Sequence, residues 1–260
     1  MKWKVGLVQM DIAFGDPKEN YKKAEQWFEK AAEQACSLVV LPELWTTGYD
    51  LTRLDEIAHH EGEDVIHFLK EQAAKHQLHI VGGSIAKQTA NGVKNTMYVV
   101  DKNGNLLHEY SKLHLFRLMD EHKYLVAGED ETKFTIDGQE AGSFICYDIR
   151  FPEWLRKPVL NGAKVLFVVA EWPLPRVDHW QTLLKARAIE NQSYVVACNR
   201  AGRDLNNVFA GHSMIIDPWG AVIAEAGEDE ELLTGSVDLG VIDEIRRRIP
   251  VFDDRRPDFY

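Results

Sequence analysis

Short apolar runs that alternate with amphipathic stretches constrain the fold of this chain more than any other sequence feature. The runs VGLVQM, SLVVL, KVLFVVA and SYVVACN are nearly continuous in aliphatic residues, which is typical of strands buried on both faces. The stretches between several of them place apolar residues three and four positions apart, which predicts helices that each cover one face of a sheet. We therefore expect an α/β protein with mixed sheets, because hairpin-like segments interrupt the alternation.

Local signals place several of these elements along the chain. Asp16 followed by a proline and, three residues on, a glutamate predicts a helix start, and the apolar spacing extends that helix to Ala35. A second helix is predicted over about 63–76 and a third from Pro152. The turn at Asn103-Gly104 predicts a hairpin between NTMYVVD and NLLHEYS.

Composition limits the class of protein. The 260 residues are 45% hydrophobic, without linker-like or repetitive segments, so we predict one domain over 1–260. The tail 249–260 follows the last predicted element and carries aromatic residues and arginines, so we expect it to pack at a subunit interface. The sequence shows no membrane-spanning run and no signal peptide, so the cytoplasm is the expected location. Three cysteines are too few for a disulfide scaffold.

The net charge of the chain limits the kinds of partner that it is expected to bind. Forty-one acidic residues against 30 basic ones give a net charge of −11, which disfavours binding to nucleic acid. The one dense basic cluster consists of Arg246, Arg247 and Arg248, followed by Arg255 and Arg256. We interpret it as an ion-paired surface or a subunit contact rather than a nucleic-acid site.

Three residues at the ends of strand-like runs supply the parts for acyl transfer. Cys146 follows GSFI, Glu43 follows VVLP and Lys112 follows EYS. A thiol, a carboxylate and an ammonium can act as nucleophile, general base and oxyanion partner. Taken singly, each has an ordinary alternative: an inert core thiol, a solvated loop acid and a surface lysine. Cys146 differs from a core thiol because a polar loop and a proline-started helix follow it directly.

Other candidate sites are weaker. Cys36 and Cys198 lie among aliphatic residues, in the middle of a predicted helix and a predicted strand, and are interpreted as core thiols. GGSIA at 82–86 lacks the final glycine of a nucleophile elbow. His76 and His79 form an H-x-x-H pair without further ligands. We predict no metal and no cofactor.

The contexts of the three residues resemble the nitrilase, or carbon–nitrogen hydrolase, superfamily. The shared motifs are LPE at Glu43, Y-S-K-L-H-L at Lys112 and C-Y-D-I-R-F-P at Cys146, in that order. The resemblance extends over nearly the whole chain and implies a second catalytic glutamate at Glu121. It also implies a four-layer α-β-β-α sandwich, with two mixed sheets flanked by helices, that pairs into a homodimer.

The resemblance implies a thioester mechanism. Glu43 would take the thiol proton as Cys146 attacks an amide carbon, and Lys112 with the backbone N–H of Tyr147 would hold the oxyanion. Glu121 would orient Lys112 or the substrate. We also expect Lys112 to lower the pKa of the Cys146 thiol, so that it alkylates fast near neutral pH.

Substrate choice is expected to depend on the loop over 171–180, with Tyr49 as a further substrate contact. Trp172 offers a flat apolar wall, and Arg176 is suited to bind a carboxylate bidentately. The alternative for Arg176 is an ion pair with Asp178 or a surface position.

The run W-P-L-P-R-V-D-H-W, followed by ARAIENQ and CNR, looks like the bacterial ω-amidase branch of the family. That likeness implies hydrolysis of the terminal amide of 2-oxoglutaramate or 2-oxosuccinamate, as in glutamine-dependent transamination and methionine salvage. True nitrilases, N-carbamoyl amino acid hydrolases and a non-catalytic binding protein on the same fold are the alternatives. Against the first, the residues at the nucleophile are C-Y-D rather than C-W-E.

Overall fold

Two β-sheets packed face to face form the centre of the protein in a computed structural model that describes residues 1–259. The strands are β1 (Lys2–Gln9), β2 (Leu38–Val40), β3 (His59–His60), β4 (His79–Thr89), β5 (Gly92–Val100), β6 (Leu106–Ser111), β7 (Lys133–Ile136), β8 (Gln139–Ile145), β9 (Val165–Ala170), β10 (Tyr194–Asn199), β11 (Met214–Ile216), β12 (Val222–Glu225) and β13 (Glu231–Asp238). The helices are α1 (Pro17–Glu33), α2 (Leu54–Ile57), α3 (Glu63–His76), α4 (Glu121–Tyr124), α5 (Pro152–Leu160), α6 (Val177–Asn191) and α7 (Ile242–Arg248).

Both sheets are mixed, as the sequence predicts. The first has the order β13-β1-β2-β4-β5-β6, with β3 beside β4, and the second has the order β12-β11-β10-β9-β8-β7. Parallel pairing joins β1, β2 and β4 in the first sheet and β8, β9 and β10 in the second. The short strand β3 also pairs parallel with β4, and the remaining pairs are antiparallel.

Three buried layers hold the sheets and helices together. One apolar cluster lies between the two sheets and continues to α5 and α6 beyond the second sheet. Another fills the space between the first sheet and the pair α1 and α3. The order helices, sheet, sheet, helices confirms the predicted four-layer α-β-β-α architecture, in which the strands of the long apolar runs, β2, β9 and β10, are buried on both faces.

Helix α1 begins as predicted and ends earlier. The Asp16 side chain accepts a hydrogen bond from the Glu19 N–H at 3.1 Å, which satisfies one of the free donors of the first turn. The helix ends at Glu33 and Ala35 takes a left-handed conformation with φ of 54°, so Ala35 is exposed rather than on the apolar face. Cys36 consequently lies in the connection to β2, where it is buried, and its predicted place in mid-helix is wrong. The chain needs this turn to run back into the sheet.

The C-terminal tail packs against the chain's own helices. Phe252 lies between the guanidinium groups of Arg156 and Arg246, at 5.3 and 5.0 Å from its ring centroid. Arg246 also donates to the Ala163 carbonyl oxygen at 2.9 Å. The expected subunit contact of 249–260 stays a prediction, and Tyr260 lies outside the described residues. Across residues 1–259, none of the helices combines the length and apolar character that crossing a bilayer requires.

Candidate active site

Strand ends bring the predicted catalytic residues to one edge of the two sheets. Glu43 lies in the turn after β2, Lys112 follows β6 directly and Cys146 follows β8 directly. Glu171, the residue after β9, donates its backbone N–H to Glu43 Oε2 at 2.9 Å. The four positions are therefore adjacent because the strands of both sheets end at the same place, as expected for sites in α/β folds.

Glu43, Lys112 and Glu121 form a buried ionic cluster, here called the Glu–Lys–Glu cluster. Lys112 Nζ donates to Glu43 Oε1 at 2.8 Å and to Glu121 Oε1 at 2.6 Å, and the side chains of all three residues are 0% exposed. A buried ion pair requires near-complete hydrogen bonding, because the desolvation of each charge costs several kcal/mol. The geometry brings Glu121 into contact with Lys112, as the family resemblance implies.

Further donors complete the shell of the two carboxylates. The Tyr49 hydroxyl donates to Glu121 Oε1 at 2.5 Å and lies 3.1 Å from Glu43 Oε1. Asn95 Nδ2 donates to Glu43 Oε1 at 2.8 Å, and the Phe116 N–H donates to Glu121 Oε2 at 2.7 Å. Tyr49, expected to contact substrate, thus also holds both carboxylates in place.

Burial and neighbouring charge determine the protonation of the cluster. Burial alone would lower the pKa of Lys112, but Glu121 and Glu43 raise that pKa well above its usual range, so the ammonium stays charged. Burial raises the pKa of Glu121, against the effect of Lys112. Burial also raises the pKa of the Tyr49 hydroxyl well above its usual range, and the two carboxylates add to the effect. Tyr49 therefore stays a hydrogen-bond donor at neutral pH.

Cys146 occupies a strained turn beside the cluster. Its φ of 46° lies in the left-handed region, which is costly for any residue with a Cβ and which is found repeatedly at functional sites. The turn over Cys146–Arg150 is a 3₁₀ helix, so the Tyr147 N–H lies in its first turn, where no carbonyl within the helix can accept it. This N–H is thus suited to the oxyanion role that the resemblance implies for it.

The resting thiol differs from the prediction. Burial raises the pKa of Cys146 well above its ordinary value, and the neighbouring Glu43 carboxylate raises it further. Lys112 lowers the pKa by less, so the expected thiolate near neutral pH is wrong. The raised pKa favours the neutral thiol, which lies next to the Glu43 side chain.

Replacing Glu43 with glutamine should therefore have opposite effects on two reactions. Glu43→Gln removes the anion that raises the thiol pKa and leaves the Lys112 ammonium, so the pKa of Cys146 should fall. The rate of iodoacetamide alkylation against pH measures this shift directly. We expect the midpoint to lie at lower pH in the variant, while amide turnover drops by at least about 10²-fold for loss of the base. A midpoint that stays in place or rises would mean that Glu43 does not act on the thiol.

Asp148 connects the turn that begins at Cys146 to residues on either side of Lys112 by hydrogen bonds. Its Oδ2 accepts the Ile145 N–H at 3.0 Å and the Tyr110 hydroxyl at 2.7 Å. Its Oδ1 accepts the His114 N–H at 3.2 Å and lies 2.7 Å from His114 Nδ1. The sequence analysis missed the roles of Asp148 and Asn95. The one signal for Asp148 was its place in the polar loop that follows Cys146, and Asn95 had no such signal.

The predicted substrate residues of the 171–180 loop lie near the cluster without lining its entrance. Trp172 is 3% exposed and donates its indole N–H to the Arg176 carbonyl oxygen at 2.7 Å. Arg176 lies over the Phe116 ring at 5.6 Å, and no ion pair with Asp178 occurs within residues 1–259. The contacts of Trp172 and Arg176 with substrate stay predictions.

Two open cavities reach this part of the surface. One, of about 240 Å³, is bounded by Tyr49, by 118–120 and by three residues of the 204–207 loop. The other, of about 450 Å³, runs along 114–118 to Tyr147 and Phe151. Tyr49, which lies between the first cavity and both carboxylates, is the residue that separates this cavity from the Glu–Lys–Glu cluster. The sequence did not indicate the 204–207 loop.

Fold and cluster together define a hydrolase of carbon–nitrogen bonds, and the chain belongs to the carbon–nitrogen hydrolase family, whose model matches residues 4–247. Among its relatives, the 2-oxoglutaramate amidase of Bacillus subtilis (strain 168) is 55% identical over 100% of both chains. The omega-amidase YafV of Escherichia coli (strain K12) is 34% identical over 96% of both. A superfamily member from Xanthomonas campestris, solved with an arsenic adduct in its active site, has a TM-score of 0.92 at 33% identity over 98% of both chains.

Proposed function

We propose that this chain is a cysteine-dependent amidase that hydrolyses the terminal amide of 2-oxoglutaramate or 2-oxosuccinamate to the dicarboxylic acid and ammonia. The observation that carries the chemistry is the fully buried Glu–Lys–Glu cluster beside Cys146. Three buried charges would be a costly way to stabilise a binding protein, because apolar residues of the same size usually do as well. The substrate is supported by the full-length similarity to the B. subtilis 2-oxoglutaramate amidase.

Acylation begins from the neutral thiol. Glu43 accepts the Cys146 proton as sulfur attacks the amide carbon, so no free thiolate accumulates. Two of the three N–H groups of Lys112 bind Glu43 and Glu121, which leaves the third for the developing oxyanion. The Tyr147 N–H is the second donor to this oxyanion. Glu43 then returns the proton to the amide nitrogen, the C–N bond breaks, and ammonia leaves a thioester on Cys146.

Deacylation reuses the same groups. Glu43, again a carboxylate, removes a proton from water as the water oxygen attacks the thioester carbon. The same two donors hold the second oxyanion. The C–S bond breaks, the proton returns to sulfur, and the dicarboxylic acid departs. Glu121 and Tyr49 keep Lys112 and Glu43 in position through both steps.

The test is ammonia release from 2-oxoglutaramate, glutamine, an N-carbamoyl amino acid and an aliphatic nitrile, compared as kcat/KM. We expect 2-oxoglutaramate to exceed each of the others by at least about 10²-fold, because a site that pairs a substrate's polar groups strongly rejects analogues that lack them. A higher value for the N-carbamoyl amino acid or the nitrile would replace the proposed substrate and keep the cysteine chemistry.

Arg176→Ala should affect acidic substrates selectively. A charge-assisted hydrogen bond to a carboxylate contributes about 1.5–3 kcal/mol, so we expect KM for 2-oxoglutaramate to rise at least about tenfold. KM for a neutral amide of similar length should change less than about twofold. Arg203→Ala, which removes an arginine lining a separate cavity, serves as a control for general loss of positive charge. Equal effects of Arg176→Ala on both substrates would assign this arginine to structure.

The remaining features of the proposal concern setting and assembly. We propose that residues 1–260 act as one catalytic domain in the cytoplasm, within glutamine-dependent transamination such as that of methionine salvage. We also propose a homodimer. It is supported by an open groove of about 860 Å³ between α5 and the C-terminal tail, which apolar and charged residues line together. Sedimentation at several concentrations tests the assembly.

A further inference from the structure

Asn95 is linked to two members of the Glu–Lys–Glu cluster at once. Its side-chain amide donates to Glu43 Oε1 at 2.8 Å, and its backbone carbonyl oxygen accepts the Lys112 N–H at 2.8 Å. The residue is 0% exposed and lies on β5, one position before the pair that Thr96 forms with Ser111 on β6. Asn95 is therefore the residue through which the strand pairing fixes Glu43 relative to Lys112.

The two oxygens of Glu43 have unequal surroundings. Oε1 accepts from Lys112 and from Asn95, each at 2.8 Å, while the Tyr49 hydroxyl, which donates its one proton to Glu121, lies 3.1 Å away. Glu43 Oε2 accepts one hydrogen bond within the described residues, from the Glu171 N–H at 2.9 Å. A carboxylate oxygen offers about two lone pairs, so the two donors saturate Oε1 and one position stays open on Oε2.

We infer that Asn95 is a positioning residue that fixes Glu43 through Oε1 and leaves Oε2 as the oxygen that carries the proton between Cys146 and the departing nitrogen. The inference rests on Glu43 acting as the base of the proposed amidase. In acylation the S–H bond breaks and an O–H bond forms at Oε2. That O–H bond then breaks as the proton passes to the amide nitrogen, so Glu43 ends the step as a carboxylate.

Amide turnover and the reactivity of the Cys146 thiol should change in opposite directions when Asn95 is replaced. Loss of the Asn95 donor makes Glu43 hold a proton more tightly, because a hydrogen bond to the charged form favours that form. A tighter hold increases the fraction of molecules with a Cys146 thiolate and a protonated Glu43. It also hinders return of the proton to the leaving nitrogen and frees Glu43 to move. Alkylation should rise while hydrolysis falls.

The experiment compares Asn95→Leu with Thr96→Val at pH 7. Thr96 is the buried neighbour on the same strand, and its hydroxyl pairs with Ser111 Oγ at 3.1 Å without contacting Glu43. For Asn95→Leu we expect kcat/KM to fall about 10- to 100-fold, as for loss of a hydrogen bond to a charge, and iodoacetamide alkylation of Cys146 to rise several-fold. For Thr96→Val both rates should stay within about threefold of wild type.

Alkylation that is unchanged or slower in Asn95→Leu would overturn the inference, since the inference requires a larger thiolate fraction. A higher rate without a shift of the alkylation midpoint to lower pH would also overturn it, since loosened packing alone makes the thiol more accessible and leaves its pKa in place. If that variant fails to fold, Asn95→Ser gives the same two readouts, because serine is too short to reach Glu43. Alkylation requires no substrate. A wild-type protein that hydrolyses none of the amides would therefore refute the proposed function, while the alkylation rates would still decide the role of Asn95.

Discussion

Replacing Cys146 with alanine is expected to reduce ammonia release by about 10⁴-fold or more, as the removal of a covalent nucleophile does in other hydrolases. The fold should persist, because the change removes one sulfur atom. Alanine also meets the same backbone cost as cysteine at a φ of 46°. We expect the free energy of unfolding to change by less than about 1.5 kcal/mol, measured by urea denaturation.

Cys198→Ala is the matched control for that experiment. Cys198 is likewise buried, and its thiol donates to the Val8 carbonyl oxygen at 3.2 Å across the space between the two sheets. Its removal should cost about 1 kcal/mol of stability and leave kcat/KM within about threefold. Ammonia release by Cys146→Ala at more than about a hundredth of the wild-type rate would contradict the thioester mechanism.

Lys112→Met is expected to cause the largest loss of stability of any single change at the site. It leaves Glu43 and Glu121 buried without their shared cation, and an unpaired buried charge costs about 3–5 kcal/mol. Turnover should fall by at least about 10²- to 10³-fold, because the oxyanion loses a donor. The unfolding free energy and kcat of the purified variant measure both effects.

A surface variant and a double variant sharpen that test. Lys123→Met removes an exposed lysine that pairs with Asp120 at 3.0 Å and should cost less than about 1 kcal/mol. In Lys112→Met, Glu121→Gln removes one of the two unpaired carboxylates and should restore part of the stability and none of the activity. An unchanged unfolding free energy in Lys112→Met would mean that the cluster is not ionised as described.

The architecture and the three reacting residues could be predicted from the sequence, because both depend on short-range patterns. Apolar runs of five to seven residues predict buried strands, and the three reacting residues each follow such a run. Glu43, Lys112 and Cys146 therefore came from local context together with the family motifs. The capped start of α1 at Asp16 has the same origin. The end of that helix did not, because the connection to β2 overrides the favourable spacing up to Ala35.

The supporting residues depend on strand pairing, which local patterns do not show. Asn95 reaches a glutamate 52 positions away, and Asp148 reaches a tyrosine 38 positions away. The state of the Cys146 thiol was predicted wrongly for a related reason. The prediction considered the charge of Lys112 alone, whereas burial and the larger effect of Glu43 raise the pKa of the Cys146 thiol. Arg176, whose alternative role was an ion pair with Asp178, instead lies over the ring of Phe116, which is 60 positions away in the chain.

The most direct test is a single turnover of 2-oxoglutaramate with the protein in excess, stopped by acid at intervals and followed by peptide mass spectrometry. A thioester mechanism predicts an acyl adduct on the peptide that contains Cys146. The adduct should appear together with ammonia and decay as the dicarboxylic acid forms, and Cys146→Ala should show neither. Ammonia release with that peptide unmodified at every time point would contradict it.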